Sequence, residues 1–109
     1  MCGKFSQMFS WAELFALYNI HADNNGDSGL KDMTPMGPAW IVRISPLDGK
    51  RKRDMMRWGW GAGANENHPK HIHARAETID TLQTFRSAFH SGPSGRGVLF
   101  VDRFNVGEE

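Results

Sequence analysis

The chain's one cysteine stands directly behind the initiator methionine, in the opening stretch MCGKF. When residue two is small, the initiator methionine is usually removed, which would leave a free α-amine and a thiol together on Cys2. A free α-amine titrates near about 7.8, against about 10.4 for a lysine ammonium in general. At about pH 7.5 roughly a third of the former is unprotonated, but only about 0.1% of the latter. An amine and a thiolate in 1,2 relation capture an aldehyde, first as an imine and then as a five-membered thiazolidine. That chemistry is nucleophilic catalysis at a carbonyl, or permanent capture of one. The alternative is a small side chain that is simply packed.

Other residues offer chemistry by spacing. In HIHARAET (71–78), His71, His73, Arg75 and Glu77 alternate with Ile72, Ala74 and Ala76, a period-two pattern that predicts a strand with its polar groups on one face. His68, His71 and His73 do not complete a metal set, because a catalytic zinc needs three ligands with supporting partners and Pro69 breaks the regularity. No metal or other cofactor is expected. Trp58 and Trp60 flank Gly59; they are either core side chains or a platform for unpaired bases, with Arg57 and Arg75 near enough in sequence to add charge. Asp23, Asn25 and Asp27 fall at calcium-loop positions one, three and five. Ser28 and Thr34 replace the required glycine and bidentate glutamate, so the segment reads as a polar surface loop. The basic run from Lys50 to Arg53 reads as a solvated hairpin tip.

These groups need elements to position them. Residues 3–6 suggest a short strand. Ser10 and Glu13 have capping-box spacing and Phe9 and Leu14 staple spacing, which predicts a helix over 11–20 carrying Trp11, Leu14, Phe15 and Tyr18 on one side. AWIVRIS (39–45) and DMMRWGW (54–60) predict two strands of a hairpin, with a loop over 61–70. Asp80 and Gln83 can cap a second helix that presents Leu82, Phe85, Ala88 and Phe89 and ends at Gly92 and Pro93. A last strand is expected over 97–104. The order strand, helix, three strands, helix, strand predicts an α+β fold with a mostly antiparallel twisted sheet or partial barrel and two helices.

Composition limits the classes. The chain has 109 residues, 39% of them hydrophobic and 11% aromatic, which suits a single globular domain. No apolar run reaches membrane-spanning length and no secretory signal is visible. A single cysteine permits no internal disulfide, so a cytoplasmic protein is expected. The net charge of +1 neither requires nor excludes nucleic acid as a partner. The closing stretch RGVLFVDRFNVGEE reads as a strand with no closing turn, from which a truncated chain, a fragment or a fold completed by something else is expected.

Taken in order, MCGKF, DMTP (32–35), RWGW (57–60), HARAET (73–78), FRSAF (85–89) and RGVLFVDRF (96–104) resemble the SRAP family, the SOS-response-associated peptidases also described as abasic-site processing proteins. The resemblance spans nearly the whole chain and implies one SRAP-like domain over 1–109, the N-terminal part of a larger one. It implies that Cys2, once Met1 is removed, forms a thiazolidine crosslink with the ring-opened sugar aldehyde of an abasic site in single-stranded DNA. Further implied roles are Lys4, Trp58, Arg75 and Arg86 in DNA binding, with Glu77 in support. Lys4 stands where the family usually has arginine, which loses a bidentate phosphate fork. His73 stands where the family has asparagine and is assigned a proton-handling role. Val106 stands at the simplest match to the family's catalytic glutamate, and Glu108 and Glu109, two and three residues on, are the candidates to replace it. The family's second half, with its own histidine, has no counterpart in these residues. Two other functions stay open: a cysteine peptidase or autoprocessing hydrolase using Cys2, and a non-catalytic single-stranded-DNA-binding remnant.

Overall fold

Ser10 starts the first helix as its spacing predicts. In the computed structural model, which describes residues 2–27, 29–60 and 71–106, its hydroxyl accepts the Glu13 N–H at 3.4 Å. Helix α1 (Trp11–Tyr18) then runs for two turns. Asn19 closes it in the left-handed conformation, with φ 54°, a role its short polar side chain tolerates. Asp27 adds a second cap: its carboxylate accepts the backbone N–H groups of Trp11 and Ala12 at the positive end of the helix.

The described residues hold five strands: β1 (Cys2–Gln7), β2 (Leu30–Met33), β3 (Pro38–Ile44), β4 (Arg51–Arg57) and β5 (Arg103–Val106). A second helix, α2 (Gln83–Phe89), and a 3-10 turn (Pro93–Gly95) precede β5. The strands form two antiparallel sheets, ordered β2–β1–β5 and β3–β4, and these do not close into a barrel. The α+β class with antiparallel pairing therefore holds.

Two apolar clusters make the core. Phe5, Met33 and Ala39 pack with Leu30, Ile41 and Trp58. Trp11, Ile20 and Val42 pack with Phe9, Leu14, Phe15, Trp40 and Phe100. Gln7, fully buried, links the two sheets: its amide nitrogen donates to the carbonyls of Trp40 (3.0 Å) and Phe100 (2.8 Å), and its oxygen accepts the Trp40 N–H (3.1 Å). The side chain thereby satisfies backbone groups that no strand neighbour reaches.

Several expectations are corrected. Residues 71–78 form no strand: only His71 pairs, with Trp60, and the chain then turns, the Arg75 carbonyl accepting from Thr78 and Ile79. Among the described residues no strand pairs with this segment beyond His71. Helix α2 begins at Gln83 with Leu82 as its N-cap and no side-chain cap, so Asp80 does not serve there. The last strand lies later than 97–104; before it, Val98 makes a single bridge with Val42. Strand β2 went unanticipated because LKDM is short and half charged, and it owes its conformation to pairing with β1. The basic run is not wholly solvated. Arg53 is buried, its guanidinium bonded to both Asp23 carboxylate oxygens and the Gly26 carbonyl and lying 4.2 Å from the Trp40 ring centre. The predicted loop over 61–70 lies outside the described residues.

Candidate functional site

Cys2 opens β1, the middle strand of its sheet, and pairs there with Val106 of β5. The register steps from Cys2–Val106 to Lys4–Asn105, so β1 carries one residue more than β5 at Gly3. Such a bulge increases local twist and is common beside functional groups. Glu108 and Glu109 follow Val106 in sequence and lie outside the described residues, as does His68.

From Lys4 onward the register is regular: Lys4 opposes Asn105, Phe5 opposes Phe104 and Ser6 opposes Arg103. Adjacent strand positions face opposite sides of a sheet. Phe5 faces the core, where its ring packs against Trp58 at 5.3 Å. Trp58 is thus a core side chain on one edge and a wall of the surface on the other. Its indole N–H donates to the Ile72 carbonyl at 2.8 Å, and its ring meets the His73 imidazole edge-on at 6.1 Å. Phe5, Trp58 and His73 form one aromatic series reaching from β1 to the segment after residue 70.

Lys4 is exposed and belongs to the opposite face. With Phe5, Ser6, Asp32, Arg103, Phe104 and Asn105 it lines a groove of about 280 Å³. By strand alternation Lys4 points away from the face on which the Phe5 ring meets Trp58, while Phe5 itself borders the groove. Arg75 and Glu77 are exposed in the turn after His73, and Arg86 is exposed on α2. Trp60 connects that region to the hairpin, donating its indole N–H to the Thr84 carbonyl at 2.8 Å while Phe85 lies 6.4 Å from its ring.

Asp102, just before β5, fixes the start of that strand. Its carboxylate accepts the Met8 N–H at 2.8 Å and the Ser6 hydroxyl at 3.0 Å. The Met8 bond first, with help from Ser6, holds its carboxyl below the usual aspartate range. Arg103 and Asn105 were not singled out by sequence. Their alternation within DRFN was a signal, but only the pairing with β1 shows that they stand beside Lys4.

A larger groove, of about 490 Å³, lies away from Cys2 between Tyr18, Ile20, Val42, Ile44, Val98 and Phe100. Among the described residues, no group of three or more His, Cys, Asp or Glu could hold a metal ion.

The model of the SOS response associated peptidase (SRAP) family matches residues 1–104. The chain belongs to the SRAP family. Membership gives it a DNA-damage-associated function and makes DNA the relevant class of partner. Searches of curated proteins and of solved structures return no match. Among the described residues of this SRAP protein, no helix is long and apolar enough to cross a membrane.

Proposed function

We propose that this SRAP protein senses abasic sites in single-stranded DNA and captures them covalently through Cys2 after Met1 is removed. The observation that carries the reading is the place of Cys2, at the head of the central strand, two residues from the Lys4 groove and three from the Phe5–Trp58–His73 series. A nucleophile anchored on a paired strand is held more firmly than one on a free terminus.

The chemistry balances without a cofactor. The Cys2 amine attacks C1′ of the ring-opened sugar and water leaves, giving an imine. The thiol sulfur then adds to the same carbon as the nitrogen takes a proton, closing the thiazolidine. Aldehyde and aminothiol go to thiazolidine and water, with no change of oxidation state. His73 is the proposed proton carrier, and Glu108 or Glu109 the proposed carboxylate. Trp58 would contribute a stacking edge, and Lys4, Arg75 and Arg86 phosphate contacts, with Glu77 supporting the turn that carries Arg75.

We also read residues 1–109 as the N-terminal part of a larger SRAP-like domain. Exposed apolar side chains at Val98, Leu99, Val101 and Phe104, along and before β5, support that reading.

Intact mass decides the chemistry. Protein lacking Met1, mixed with single-stranded DNA carrying one aldehyde abasic site, should gain the DNA mass less one water, and Cys2→Ala should gain nothing. Processed protein that forms no adduct would overturn the proposal.

A further inference from the structure

We propose that Lys4, Arg103 and Asn105 form a phosphate-binding subsite for the DNA strand on the face of β1 opposite Trp58. The inference rests on the capture reading above and deepens it by assigning a backbone contact to residues of β5.

Register makes the first argument. Lys4 opposes Asn105 and Ser6 opposes Arg103, with no irregularity between them. Directly opposed residues share a face, as do residues two apart on one strand. Lys4, Ser6, Arg103 and Asn105 therefore stand together, and they line one groove with Asp32, Phe5 and Phe104. Two strand residues span roughly 7 Å, so Lys4 and Arg103 lie within reach of one phosphate or two neighbouring ones. Lys4 is also only two residues from Cys2, which puts the subsite next to the captured sugar.

Chemistry makes the second. A guanidinium is the side chain best suited to grip a phosphate through two parallel hydrogen bonds. The Arg103 side chain is exposed and makes no hydrogen bond or ion pair with the described residues, although its charge is felt by the neighbouring Asp102. Asp102 is occupied by Met8 and Ser6, so it holds the strand rather than the arginine. Asn105 adds a side-chain amide able to donate to a phosphate oxygen. Asp32 is the carboxylate in the groove lining, and it moderates the positive field.

The consequence is a path. Phosphates on the Lys4–Arg103 face and a base edge on the Trp58–His73 face require the strand to cross the start of β1, where Cys2 stands. A single strand can bend in that way, whereas a stiff duplex cannot.

The test uses noncovalent binding, so that it stands apart from capture. The probe is a short oligothymidylate with one tetrahydrofuran residue, an abasic analogue that has no aldehyde. Its affinity is measured by anisotropy over a salt series for the parent protein, Arg103→Gln, Arg103→Lys and Asp32→Asn. Arg103→Gln should weaken binding about five- to tenfold and flatten the log–log salt slope by about 0.7, the share of one phosphate on a single strand. Arg103→Lys should keep the slope and lose part of the affinity, and Asp32→Asn should bind tighter. A parent protein that binds while Arg103→Gln matches it in affinity and slope overturns the subsite and leaves the capture reading standing. A parent protein that neither binds the analogue nor forms the mass adduct overturns both. Unchanged circular dichroism of Arg103→Gln excludes misfolding as the cause of any loss.

Discussion

Replacing Asp23 by asparagine should destabilise the fold by about 3 kcal/mol, although Asp23 lies in a polar loop far from Cys2 in sequence. The reason is Arg53. Its side chain is 0% exposed and that of Asp23 25%. The pair is bidentate, at 2.9 and 2.8 Å, with a further bond from Arg53 to the Gly26 carbonyl. Breaking a buried pair by removing one partner typically costs about 3–5 kcal/mol, because the remaining charge stays desolvated. The partial exposure of Asp23 puts the value at the lower end. For a domain of this size each kcal/mol lowers Tm by about 4 °C, so the variant should melt about 12 °C lower. Urea and thermal unfolding followed by circular dichroism measure this directly. Arg53→Met is the control: it removes the buried charge, keeps apolar contact with Trp11, Phe15 and Trp40, and leaves Asp23 able to turn to water. The double variant should therefore be more stable than Asp23→Asn alone. A single variant within about 1 kcal/mol of the parent, or a double variant worse than the single, would refute the reasoning. The pH dependence carries the same sign. Hydrogen bonds from Arg53 hold the Asp23 carboxyl below its ordinary value of 3.8. The stabilisation is complete above that value and is lost as pH falls through the lower folded value, so the parent should lose stability in acid more steeply than Asp23→Asn.

Gln7→Leu should cost about 3 kcal/mol, because it leaves the Trp40 N–H and the Trp40 and Phe100 carbonyls without their partner, and a shift of the urea midpoint at constant slope would register it. Ser10→Ala should cost only about 0.5–1 kcal/mol, since Asp27 still caps the same helix end; a double replacement with Asp27→Ala should cost more than the sum of the singles. Cys2→Ser keeps the amine and loses the thiol, so it should give a DNA adduct only when borohydride traps the imine, and mass spectrometry separates that from the stable adduct of the parent. Asp102→Asn should remove the part of the acid-range stability loss that arises from protonating this carboxylate, read from melting temperatures between neutral and acid pH.

Parts of this architecture were legible in sequence because they are local. The α1 cap is written in Ser10 and its three-residue spacing to Glu13, and the β3–β4 hairpin in the apolar run over 39–45 and the Pro-Leu-Asp-Gly turn, although the returning strand begins at Arg51 rather than Asp54. The misreadings concern pairings that only the assembled chain decides. HIHARAET alternates as cleanly as any strand, yet among the described residues only His71 finds a pairing partner, and the segment ends in a turn. Arg53 stands in a run of basic residues, and nothing nearby in sequence says that it opposes the buried Val42 and meets Asp23 from a loop thirty positions earlier. For the candidate site, the motifs indicated Cys2, Lys4, Trp58 and His73. They did not reveal that Lys4 and Trp58 occupy opposite faces, because one residue's difference in strand parity is invisible until the register is known.

The position of β1 also determines how the molecule would bear a mechanical load. Under the proposed capture, a DNA strand joined at Cys2 and drawn along the axis of β1 would load that strand lengthwise. The ladders to β2 and β5 run perpendicular to that axis on both flanks. Tension is then shared among all their hydrogen bonds at once, in shear, whereas an edge strand pulled sideways would peel open one bond at a time. Placing the proposed nucleophile on the middle strand would make its attachment point resist force applied along β1.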